Sequence, residues 1–78
     1  MKSHKEFKPT LQGLGQRIYQ TRILKNLTTK QIAPMISLTP AAYRNIEKGE
    51  SDFSITTCIL ICKVLEIEFD ELVSQIKI

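Results

Sequence analysis

The stretch ISLTPAAYRNIEKGES, Ile36 to Ser51, is a short helix with both of its ends marked. Thr39 carries a hydroxyl suited to capping a helix N-terminus, Pro40 supplies the φ of a first helical turn, and Gly49 tolerates the left-handed conformation in which many helices stop. Tyr43 and Ile46 then fall on one side, with Arg44, Asn45 and Lys48 on the other. The leading tip, Pro40-Ala41-Ala42, has no side chain that can hydrogen-bond. Such a helix has an apolar face to dock on a scaffold and an outer face to present to a partner.

The segments on either side are helical too. Upstream, Thr28-x-x-Gln31 has the spacing of a reciprocal capping box, so a second helix is expected to begin at Thr28 with Ile32 and Ala33 inward. Pro34 lies inside that helix, where it removes a hydrogen bond at a cost of about 3 kcal/mol, so a kink or an early end is expected there. Further upstream Thr10 is expected to cap a first helix. Leu11, Leu14, Ile18 and Arg22 would share one face of it, and Asn26 would end it in a left-handed turn. Downstream, Ser54 is expected to cap a fourth helix with Ile55, Cys58, Ile59, Ile61, Cys62 and Leu65 on a wide apolar face. Phe69, Leu72, Val73 and Ile76 point to a short fifth. Strand-like alternation is nowhere sustained. The expected architecture is an all-α, compact five-helix domain over 10–78, preceded by a flexible basic tail over 1–9. Its second and third helices, joined by about three residues, form a helix-turn-helix.

Bulk properties fit one small domain. Chains this short bury roughly 60 % of their unfolded surface, and 42 % apolar residues over 78 positions suffice for a single core. The charge is lopsided: residues 1–49 hold nine Lys/Arg against two acids, residues 50–78 two against six. A basic front and an acidic back can orient a domain on a polyanion. No apolar run approaches a membrane span and no apolar segment follows the basic N-terminus, so a cytoplasmic chain without a membrane partner is expected. Cys58 and Cys62 stand four apart in an apolar segment and His4 is the sole histidine, a pattern of core thiols and not of a metal site. With no Ser-His or Cys-His arrangement, no glycine-rich phosphate loop and no paired carboxylates in a convincing pocket, neither enzymatic activity nor a cofactor is expected.

The segments LGQRI, NLTTKQIA, SLTPAAYRNIEKGE and SITTCILICKVLEIEFDEL resemble the phage-repressor/Cro-like helix-turn-helix family, the Xre-type regulators, over Leu14 to Leu72. The resemblance implies a lambda-repressor-like fold that binds double-stranded DNA, usually as a symmetric homodimer, with the third helix in the major groove. It implies base contacts from Pro40, Ala41, Arg44 and Asn45 and phosphate contacts from Thr28, Thr29 and Lys48, to which the charge of Lys30 is expected to add. It also implies a partly buried ion pair between Arg22 and Glu47. Arg44 has the donors for guanine O6 and N7, and Asn45 the pair for adenine N6 and N7. Ala41 offers a methyl to thymine.

Three departures from the family pattern bear on this. Thr29 stands where a longer glutamine is common, and Ser37 where glycine is favoured, so the turn is expected to lack glycine's access to positive φ. Glu50 and Asp52 replace basic residues beyond Gly49. Leu60, Val64 and Ile76 exceed what one core face needs and are the candidate dimer face. The expected function is a sequence-specific DNA-binding transcriptional regulator, a repressor. The alternatives are a protein-interaction module of the same fold, or an antitoxin that binds a toxin and its own promoter.

Overall fold

The computed structural model describes residues 8–74. Five helices follow in order: α1 (Lys8–Leu24), α2 (Thr29–Met35), α3 (Pro40–Glu47), α4 (Ile55–Leu65) and α5 (Phe69–Val73). The described residues contain no strand. α1 already covers Lys8 and Pro9 ahead of Thr10. Thr10 is therefore a helical residue and not the cap. Most of the expected 1–9 tail and Ile76 lie outside the described residues.

The caps at Thr28, Thr39 and Ser54 form as the sequence reads. Each hydroxyl accepts the backbone N–H three residues on, from Gln31, Ala42 and Thr57 respectively, at 3.1 Å. At Thr28 the box is closed by the Thr28 N–H donating to Gln31 Oε1 at 2.8 Å.

Helices α1 to α4 all stop in the same manner. A left-handed residue follows the helix: Asn26 at φ 58°, Ser37 at 59°, Gly49 at 72° and Glu66 at 57°. The N–H of the next residue then reaches back five positions to a helix carbonyl. These bonds run from Leu27 to Arg22, Leu38 to Ala33, Glu50 to Asn45 and Ile67 to Cys62, at 2.9–3.2 Å. Ser37 thus adopts the positive φ that the sequence seemed to deny it. Burial of the neighbouring Ile36 and packing of Leu38 on the core hold the turn in place. Pro34 brings the early end anticipated for α2, which stops one residue later at Met35.

Ile18, Ile32, Ala33, Ile36, Tyr43, Ile46, Cys58, Ile61, Leu65, Ile67 and Leu72 form a single core. α3 packs on α1 and α2, whereas α4 packs on α1, α2 and α5, and α5 on α1 and α4. α3 therefore lies on one side of α1, away from α5. Two expectations for α4 are reversed. Ile55 and Ile59 are exposed (67 % and 49 %), while Leu60 and Val64 are half-buried against the core. Because α4 is apolar nearly all round, its periodicity did not say which stripe would turn inward; the core takes Cys58, Ile61 and Leu65. Cys58 and Cys62 are free thiols, and burial pushes the Cys58 thiol up to about 11, so it stays protonated and unreactive.

Candidate nucleic-acid interface

The outer face of α3 is set by how tightly its inner face is held. Gly15 of α1 lies so close to the end of α3 that a Cβ there would come within 2.4 Å of the carbonyl oxygens of Ile46 and Glu47. Gly49 meets α1 in the same way: its Cβ would fall 2.6 Å from the Gln12 Cα, and its φ is positive. Two glycines therefore allow α1 and α3 to approach backbone to backbone.

Polar contacts complete the attachment. Arg22 Nε donates to Glu47 Oε2 at 2.6 Å and Nη2 to Glu47 Oε1 at 3.1 Å, a bidentate pair whose side chains are 9 % and 8 % exposed. Arg22 Nη1 donates to the Leu27 carbonyl at 2.8 Å, tying the pair to the turn after α1. The Tyr43 hydroxyl donates to the same Oε2 of Glu47. Hydrogen bonding to Glu47 raises the Arg22 pKa above its ordinary value. Burial, reinforced by the Glu47 carboxylate, pushes the Tyr43 phenol far up. The Tyr19 ring also sits under the Arg22 guanidinium, 5.4 Å from its centre. Glu47 is thus fully occupied from inside the domain, by Arg22 and Tyr43.

With the inner face anchored, Ala41, Arg44, Asn45 and Lys48 are exposed, and Pro40 and Ala42 are half-buried at the leading end. Thr28 spends its hydroxyl on the capping box, while Lys30 is exposed beside it. Thr29 is half-buried and accepts a hydrogen bond from Arg44 Nη1 at 3.4 Å, which places the Arg44 guanidinium beside α2. An open cleft of about 340 Å³ results, lined by Gln16, Tyr19, Arg22, Thr29, Arg44 and Lys48, with Glu47 in its floor. Sequence reading passed over Gln16 and Tyr19. Their signal was spacing, since Gln16, Tyr19 and Arg22 stand three apart on α1 and share a side of that helix.

The acidic loop lies elsewhere. Asp52 accepts the Phe53 N–H at 2.7 Å, and Ser51, Asp52 and Phe53 line a separate hollow with Leu38, Ala42 and Ile46. Among the described residues neither Glu50 nor Asp52 forms an ion pair. No group of His, Cys, Asp and Glu among the described residues is arranged to hold a metal.

A Helix-turn-helix family model matches residues 18–72, from the middle of α1 to α5. The chain belongs to the Cro/C1-type, Xre-like helix-turn-helix family. In that family's terms α2 and α3 are the helix-turn-helix, and the domain is that of a DNA-binding regulator. The matched segment holds the Arg22–Glu47 pair, the α2 cap and the whole of α3, whereas Gln16 of the cleft lies before it. No curated protein and no solved structure matches the chain. No described helix is long and apolar enough to cross a membrane.

Proposed function

We propose that the protein is a sequence-specific transcriptional regulator, a repressor, that inserts α3 into the major groove of duplex DNA. The observation that carries this reading is the division of labour on α3. Glu47 is consumed by Arg22 and Tyr43, so the outer face keeps the uncompensated cations Arg44 and Lys48 with Asn45 between them. Pro40, Ala41, Arg44 and Asn45 face the groove floor in this reading, and Thr28, Thr29, Lys30 and Lys48 its walls. Phosphate contacts supply most of the affinity and fix the register, and base-edge contacts supply the sequence preference.

So few polar readers per copy call for two copies and a symmetric site. The surface that fits a second copy is the apolar groove of about 550 Å³ on α4 and α5, lined by Ile55, Ile59, Cys62 and Phe69. Lys63, Glu66 and Glu68 also line it, charges of both signs that a second copy can complement. None of the residues that line this groove belongs to α2 or α3, so the groove and the outer face of α3 can be occupied together. This choice replaces Leu60 and Val64, which face their own core. Sedimentation should show a dimer that Ile59→Glu dissociates while the monomer stays folded. A monomeric wild-type chain bound singly to DNA would remove the dimer from the account.

The functional reading is tested by fluorescence anisotropy with the duplex upstream of the protein's own gene against a scrambled duplex, at two salt concentrations. Tighter binding to the native duplex at both salts is the expected result. Absence of binding to either at low salt would overturn it in favour of a protein-interaction module. Binding to the native duplex only with a co-transcribed toxin present would favour the antitoxin reading.

A further inference from the structure

We infer that Arg44, with Gln16 and Tyr19, belongs to the phosphate-facing wall of the cleft between α1, α2 and α3, and that Arg44 is not a reader of bases. This rests on the DNA-binding reading above and changes the role of one residue within it.

Three observations carry the inference. First, Arg44 Nη1 donates to Thr29 Oγ1 at 3.4 Å, so the guanidinium lies beside the start of α2. Second, the charges in the cleft do not cancel. Arg22, Arg44 and Lys48 line it, and its one carboxylate, Glu47, is engaged by Arg22 and Tyr43. Among the described residues Arg44 and Lys48 form no ion pair, so the cleft keeps two cations at its rim for an anion to meet. Third, Thr29, Gln16 and Tyr19, each carrying a neutral hydrogen-bond donor, line the same space. A guanidinium, an ammonium and neutral donors around an open hollow match the tetrahedral oxygens of a phosphodiester. A base edge is flat and calls for one planar fork pointed at it. With Arg44 drawn to the wall, Asn45 is the only side chain of the α3 face left to make a bidentate hydrogen bond to a base.

Arg44→Gln and Arg44→Lys, each checked for unchanged melting, would be compared with wild type in two measurements: base selection from a randomised duplex pool, and affinity on the selected duplex from 50 to 200 mM salt. Arg44→Gln is expected to leave the selected sequence unchanged. It should weaken all duplexes alike and flatten the slope of log affinity against log salt by about 1, the signature of one lost phosphate contact. Arg44→Lys keeps a charge at the rim and is expected to retain the wild-type slope. Loss of preference at one base pair in both variants, with the slope unchanged, would overturn the inference and return Arg44 to the groove floor. Wild-type chain without salt-dependent affinity for any duplex would instead sink the DNA reading itself, before the variants are compared.

Discussion

Between α1 and α3 the backbones meet where Gly15 and Gly49 leave no room for a side chain, and a bidentate ion pair with a tyrosine hydroxyl closes the contact. Between α4 and α5 a groove of about 550 Å³ stands open, with Ile55 and Phe69 more than half exposed. The ion pairs on that half, Lys25 with Glu66 and Arg17 with Glu71, are solvent-facing. The first region spends its close approach and its buried charge on fixing the direction of one short helix. The second leaves apolar area uncovered. A helix that must match a rigid groove to within a fraction of an ångström gains from the first arrangement, and a surface that meets another protein gains from the second.

The comparison breaks most visibly at Glu47. Glu47→Ala strands the Arg22 guanidinium and the Tyr43 hydroxyl, both largely buried, and should cost about 3–5 kcal/mol in urea denaturation. A loss under about 0.5 kcal/mol, within ordinary surface scatter, would show that the pair does not hold α3. Gly15→Ala is next. The Cβ would press on backbone carbonyls that cannot move aside, so the cost should reach the upper part of the roughly 1–3 kcal/mol of overpacking. A thermally neutral Gly15→Ala would mean that α1 and α3 slide apart freely.

A smaller change of opposite sign is expected at the turn between α2 and α3. Ser37→Gly relieves a left-handed strain of roughly 1–2 kcal/mol and gives back about 0.4–1 in unfolded-chain entropy, so the domain should gain up to about 1.6 kcal/mol. Destabilisation would mean that the serine side chain contributes to the turn.

The smallest effect belongs to the back. Hydrogen bonding to Lys25 holds the Glu66 carboxyl below its ordinary 4.5. A depressed folded value means that the pair's contribution is present above 4.5 and fades as pH falls through the lower, folded value. Wild type and Lys25→Gln should therefore differ slightly at neutral pH and low salt, and converge on acidification or in high salt. A difference that grew in acid would refute the assignment.

Much of this was legible because helix starts are chemically specific. Thr28, Thr39 and Ser54 announce themselves by hydroxyl and spacing, and the Leu11–Ile18–Arg22 stripe by periodicity. Helix ends were half legible. Asn26 and Gly49 carry the expected residue types, whereas Ser37 and Glu66 adopt the same left-handed backbone without them. Their signal lay one residue later, in Leu38 and Ile67, apolar side chains that turn back onto the core as Leu27 does after Asn26. α4 misled because a helix apolar on every side has no preferred face in its sequence. The cleft was hidden for another reason. Arg44 and Thr29 are fifteen residues apart and Gln16 and Tyr19 lie on a different helix, so only the packing of α1 beside α3 brings them together.

The most direct test of the account is to titrate the isotopically labelled chain with the duplex upstream of its gene and follow backbone amide shifts. The largest changes are predicted at residues 28–31 and 40–48, on the helices held by Gly15 and Glu47. Changes concentrated on the α4–α5 groove, with those two segments unmoved, would contradict the claim that α3 is the surface that meets DNA.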